Sequence, residues 1–360
     1  MLGTVSVHIP DFTAGSGGGG STTRSIFAAR VVALYDRSIA TEISTGDTVD
    51  GVVLAAGDRV LLAFQVDDAE NGLYVVGAGA ATRDPDLSTA DQFIGGIRIG
   101  VALGNFGEGS RWVLRNTSPV VDTDPVLIDQ ELTGSPLEVR QHDDWLGTTN
   151  ESESNSTGAM GWVRSSSGGG TGSADPTALE TSINGPVRGL TTSGPDQFIG
   201  ITTGRPGDGW AYCEDPVIEH HWFQVLLGET TDEQRNTFGW CDGSSTFPQN
   251  GAYFQRDESS ANWQVQTSDA GSSTVTDTGV PIVGGQWYDC HIWCREGRTL
   301  FVLDREFAAE HTTDLPSGTG ALIQARMSGY TSVSAAEEDH SFFWSFYSIA
   351  RHVAASVRTA

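Results

Sequence analysis

The sequence predicts an all-β chain, with a small β module followed by an antiparallel two-sheet sandwich. Three observations predict it. Short apolar runs recur with Gly, Asp, Asn and Pro between them, which is the rhythm of strands and turns. Alternation is plain in WYDCHIW (287–293) and TLFVLD (299–304), the period of a strand with one buried face. Helical periodicity is nearly absent, and only 26–34 carries a trace of it.

The elements follow in order. Residues 1–24 form an arm ending in GSGGGGSTT (15–23), a composition expected to stay a flexible tether. No Lys-Ser/Thr follows the glycines, so they are not a phosphate loop. The alternation in TVSVHI (4–9) suits a strand added to a neighbour. The arm lacks a basic start before an apolar core, so no signal peptide is expected. No apolar run reaches the roughly 18 residues of a membrane helix.

Residues 25–132 hold ARVVALY, DGVVLAAGDRVLLAF, NGLYVVGAG, GGIRIGVALG, SRWVLR and PVLIDQEL, the runs of a β module. Within it, VDDAENGLYVV (66–76) places Asp67, Asn71 and Gly72 where the first half of an EF-hand loop puts ligands and its glycine. Such a loop needs oxygen ligands at its third and twelfth positions, and Ala69 and Ala78 stand there. The flanks are strand-like, so the segment is predicted to be a β-hairpin turning at Asn71-Gly72. A linker falls at 133–138, and residues 139–360 form the sandwich. Its opening strand is GWVRSSSGGGTGS (161–173), after a polar loop TTNESESNSTG (148–158).

Both halves resemble known families. The stretch 48–86 is similar to a module of tail-fibre and appendage proteins of tailed viruses. Asp50-Gly51, Gly57-Asp58-Arg59-Val60, Asn71-Gly72, Tyr74, Arg83 and Asp84 occur in that module's order. The likeness covers about 25–132 and departs at FIGGIRIGVALGNFGEG. Residues 285–318 resemble concanavalin-A-like (laminin-G-like, jelly-roll) sandwich domains through Trp287, the strand 299–303, Asp304 and Pro316. Arg305 stands where that family pairs a glycine with the Asp. The resemblance implies a virion structural appendage whose sandwich binds host glycans.

Composition narrows the partners. The net charge is −26, and all 20 basic residues are Arg. An acidic surface repels phosphate, which argues against nucleic acid and anionic membranes as partners. Lys-free acidity is a halophile-like composition, in which carboxylates keep the chain hydrated when salt screens charge. Cys290 and Cys294 would lie about 13 Å apart on one strand, too far to bridge, and are expected to be buried thiols. A Cys213–Cys241 bridge stays open.

Catalytic patterns are missing, and the chain is not expected to be an enzyme. A retaining glycanase needs two carboxylates about 5–5.5 Å apart, and the ExDxxE arrangement is absent. Glu337-Glu338-Asp339 reads as solvated charge, and Asp304/Glu306 as a turn. Glu219-His220-His221 cannot share a metal, since neighbours on a strand face opposite ways. No nucleophile elbow occurs.

What remains is aromatic and polar surface. The candidate glycan-binding residues are Trp240, Asp242, Tyr253 and Gln255, on adjacent runs leading into turns. Asp242, Asp257 and Asp269 are loop carboxylates that Ca²⁺ would suit, although no spacing demands a metal or other cofactor. Asn116, Asn150 and Asn155 begin sequons, the acceptor pattern for glycosylation. The expected protein is a fibre, spike or turret of a tailed virus, made in the host cytoplasm and carried on the virion. It would assemble as a trimer, or as a pentamer at a capsid vertex, against other virion proteins. The alternatives are a vertex turret or decoration subunit without a ligand, and a virion-borne glycanase.

Overall fold

A computed structural model describes residues 26–131, 140–143, 162–167, 188–192, 197–203, 217–227, 234–242, 248–257, 259–316, 324–331 and 340–353. The arm 1–24, the linker 133–138, the loop 148–158, Cys213 and the acidic cluster 337–339 lie outside these residues. The first module contains β1 (Ile26–Ala29), β2 (Val31–Ala33), β3 (Thr48–Val49), β4 (Val52–Val53), β5 (Arg59–Leu62), β6 (Gly72–Val75), β7 (Thr82–Arg83), β8 (Arg98–Val101), β9 (Arg111–Leu114) and β10 (Ile128–Glu131). The trace of helical period at 26–34 is a strand pair. Val31, Val32 and Ala33 of the second strand are buried on both faces, where burial rather than period decides the element.

These strands make two four-stranded sheets, ordered β1-β8-β9-β10 and β2-β5-β6-β7, and a small β3-β4 ribbon. β1 pairs parallel with β8, and β2 parallel with β5. β5 and β6 pair antiparallel as the hairpin reading requires, but Asn71-Gly72 is not the turn. Leu62 already faces Gly72, and the connection passes through a 3₁₀ turn at Asp68–Glu70, capped by Asp67. Asn71 has φ −59 and is buried. Its side chain accepts from the Gln65 amide at 3.0 Å and donates to Asp68 and to the Val126 carbonyl. Gly72 has φ +152, and a Cβ there would meet the Arg83 guanidinium at 2.5 Å.

The motif residues of this module are its internal ties. Arg59 pairs with buried Asp84 at 2.6 Å, and Arg30 with Asp58 at 3.0 Å. Arg83 donates to the carbonyls of Ala69 and Asn71, and the Tyr74 hydroxyl to that of Glu70. Asp50, at φ +44, accepts from the amides of Phe106 and Gly107.

The second unit contains β11 (Arg140–Asp143), β12 (Trp162–Ser167), β13 (Arg188–Thr192), β14 (Gln197–Thr203), β15 (Val217–Leu227), β16 (Gln234–Cys241), β17 (Gly251–Arg256), β18 (Asn262–Asp269), β19 (Ser272–Pro281), β20 (Trp287–Arg295), β21 (Arg298–Leu303), β22 (Glu306–His311), β23 (Gln324–Thr331) and β24 (His340–Val353). They form two seven-stranded antiparallel sheets. One runs β11-β24-β15-β20-β21-β22, with β13 also on β24, and the other runs β12-β14-β23-β16-β17-β18-β19. The chain is all-β, as predicted, and this unit is a β-sandwich.

Alternation decides what goes inside. Tyr288, Cys290, Ile292 and Cys294 point inward from β20 to meet Trp240, Phe254, Trp263 and Phe301 in one core. Fully burying a large apolar side chain contributes roughly 1.5–3 kcal/mol, so each of these buried aromatics contributes substantially to the sandwich's stability. Cys290 and Cys294 are buried free thiols.

The opposite face of β15 and β20 is not left to solvent. Ile218, Trp293, Leu300 and Val302 join the first module's Ala29, Leu61, Phe93, Trp112 and Val126 in a second core. Phe64 stands edge-on to Trp112, His291 and Trp293 at 5.3–5.7 Å. His220 and His291 stack beside Trp293 and share a 3.0 Å contact between Nε2 and Nδ1. Polar ties close the rim. Arg305 pairs with Asp68 at 2.5 Å and donates to the Gln65 carbonyl, while its own carbonyl accepts from Asp36. Arg295 donates to the Asn105 carbonyl. A cleft of about 210 Å³ remains at this junction, walled by Tyr35, Asp50, Asn105, Phe307 and Glu310.

Candidate functional site

One outer face of the sandwich is closed by the first module. The outer face of the other sheet carries a groove of about 260 Å³, and alternation builds it. Phe238 and Trp240 on β16, Ala252 and Phe254 on β17, and Trp263 and Val265 on β18 point into the core. Their neighbours Thr237, Tyr253, Gln255, Gln264 and Gln266 therefore point out and line the groove.

Register sets these side chains in rows. Thr237 faces Gln255, and Gln255 faces Gln264. In the next row Gly239 faces Tyr253, and Tyr253 faces Gln266. Side-chain hydrogen bonds tie this face together, one within a row and two reaching Ser268 in the next. Gln255 donates to Gln264 at 3.1 Å, and Gln266 to Ser268 at 2.8 Å. The Tyr253 hydroxyl lies 3.3 Å from Ser268 Oγ. At one end Arg235 donates to Asp257 at 2.6 Å, and Asp257 also accepts from the amide and hydroxyl of Ser259.

Of the four residues proposed from sequence, this face brings together Tyr253 and Gln255. Trp240 is a correction. It is fully buried between the sheets, because β16 turns its even-numbered side chains inward, and it cannot stack on a ligand. Tyr253 is only 2% exposed, so it forms the groove's floor rather than an open stacking platform. Asp242 lies past the end of β16 and accepts from the Gln249 amide and the Asn250 side chain, which makes it a turn residue.

Arg235, Gln264 and Gln266 were not singled out from sequence, and Asp257 was named there only as a loop carboxylate suited to Ca²⁺. The alternation of NWQVQTSD (262–269) carried the signal for the two glutamines, since Trp263 and Val265 claim the core. The three loop carboxylates do not converge. Asp257 follows one end of β17, and Asp269 ends β18 beside its other end. Among the described residues no group of three or more His, Cys, Asp or Glu could hold a metal. Glu219 and His221 face inward together at 2.7 Å, and His220 faces the other way.

Asn116, the described sequon residue, is partly exposed. Its amide nitrogen donates to the Pro125 carbonyl at 2.6 Å and its oxygen accepts from Leu127, so the side chain is a loop clamp. Asn150 and Asn155 lie outside the described residues. The Asp304/Glu306 pair is a turn as read. Asp304 and Arg305 take φ +51 and +70, and Asp304 accepts from the Asp289 amide.

No protein-family model matches the chain, and no curated protein matches it. Several solved structures resemble it at low identity. A protein of unknown function from Shewanella oneidensis MR-1 aligns over 61% of this chain and 88% of its own, with TM-score 0.44 and 11% identity. An endo-beta-1,4-glucuronan lyase from Trichoderma reesei aligns over 58% and 94%, with TM-score 0.39 and 9% identity. A Bacillus licheniformis beta-glucanase aligns over 58% and 97%, with TM-score 0.38 and 8% identity. None of these likenesses says what this chain binds.

Proposed function

We propose that this chain is a virion structural appendage of a tailed virus, a fibre, spike or turret subunit whose sandwich binds host-surface glycan without turning it over. The observation that carries the glycan reading is the polar groove, where amides, hydroxyls and one ion pair are aligned by strand register. Such groups match sugar hydroxyls, which both donate and accept. The appendage reading rests on the resemblance of 48–86 to tail-fibre modules. A weak site repeated by symmetry gains avidity without new contacts. Asp257 is the one carboxylate among the described residues lining the groove, whereas a retaining glycanase needs a pair.

The test is retention of the intact protein on a panel of immobilised polysaccharides, with reducing ends assayed in the same samples. Retention without new reducing ends is expected. New reducing ends would make the chain a glycanase, and no retention on any member would favour the subunit without a ligand.

A further inference from the structure

We propose that the groove selects an uncharged glycan segment, laid across the strands, and rejects acidic sugars. This rests on the glycan-binding reading above and adds the ligand's class and direction.

Charge comes first. The groove's described charges are Arg235 and Asp257, and they neutralise one another at 2.6 Å. A uronate or sialate would meet a guanidinium already engaged by a carboxylate, with that carboxylate beside it. The net charge of −26 adds a repulsive field at low salt. An uncharged sugar meets neither penalty.

The lining chemistry agrees. The amides of Gln255, Gln264 and Gln266 each carry both donors and an acceptor. A hydroxyl complements both functions, while a carboxylate only accepts. With Tyr253 covered, recognition runs through hydrogen bonds rather than ring stacking.

Register gives the direction. Thr237, Gln255 and Gln264 stand directly opposite one another on three successive strands. Strands lie about 4.8 Å apart, so this row spans roughly 10 Å. Thr237 and Gln255 are 2% and 6% exposed and form the floor of this row, so a short saccharide lying across the strands would touch partly exposed Gln264 directly and the other two only at the floor.

The experiment titrates the intact chain by calorimetry at low salt, using neutral manno- and gluco-oligosaccharides and oligomers of galacturonate and alginate. Neutral ligands should bind and acidic ones should not. Gln264→Ala, with its melting temperature checked, should weaken neutral binding by about five- to tenfold. Asp257→Asn leaves Arg235 without this counter-charge and should raise affinity for galacturonate by about tenfold. Equal or tighter binding of acidic oligomers by the native chain would overturn the charge selection and leave the glycan reading standing. Neutral binding unchanged in both Gln264→Ala and Gln255→Ala would overturn the placement. If no oligosaccharide binds, the glycan reading itself falls, and this inference with it.

Discussion

Phe64 of the first module and Trp293 of the sandwich meet edge to face, with ring centroids 5.7 Å apart and planes at 86°. The contact sits in a core to which both units contribute. Trp293→Ala should cost about 3–5 kcal/mol. The two units should unfold in one calorimetric transition in the native chain, and the substitution should separate them. Two independent transitions in the native chain would show that the junction carries little energy.

Trp240→Ala should destabilise the sandwich by a similar amount, about 3–5 kcal/mol, since its ring is fully buried. Trp240→Phe keeps most of the buried surface and should retain any saccharide binding measured for the native chain. Loss of binding with an unchanged melting temperature would return Trp240 to the site.

Burial pushes the Asp50 carboxyl up to about 7, against the pull of the Gly107 and Phe106 amides and with Glu310 adding to the rise. The folded state therefore holds this proton where the unfolded chain has lost it. Stability should be greatest below about pH 4 for this group and should fall as pH rises toward 7, by up to roughly 4 kcal/mol. Asp50→Asn should flatten that slope in urea unfolding followed across pH. An unchanged slope would assign the dependence to other groups.

Asn116→Ala removes two hydrogen bonds from an exposed loop and should cost about 0.5–1.5 kcal/mol. Intact mass of protein from a glycosylating host should show no sugar at Asn116. A glycan found there would mean that the clamp opens before the loop closes.

Assembly is checked by solution mass at low salt and at about molar salt, where exposed charges are screened. A trimer is expected for a fibre or spike. A pentamer would move the chain to a capsid vertex, and a monomer in both conditions would count most heavily against the fibre reading.

Much of the sandwich was legible because period-two patterning is local. The alternation of WYDCHIW sets Tyr288, Cys290 and Ile292 on the face opposite Trp287 and Trp293, and they line the inner core. The same reasoning, carried one strand further, would have turned Trp240 inward beside Phe238. The junction was not legible, because alternation says which residues share a face but not what covers it. One departure did mark it. Arg305 occupies a positive-φ turn position, where glycine is least strained, and its guanidinium reaches Asp68. The Asn71 turn was misread for another reason. Its partners, Gln65 and Val126, come from outside the dipeptide that signals a hairpin.

The sheet holding β15 and β20 has the sandwich core on one side and the first module on the other. It works as a party wall between two rooms. A pull on the first module would reach the sandwich core through a single layer of strands, with Arg295 and Arg305 as bolts at its rim. Each bolt is a planar guanidinium that holds a backbone carbonyl of the first module, Arg295 that of Asn105 and Arg305 that of Gln65. Any load applied to one unit would pass to the other through this wall.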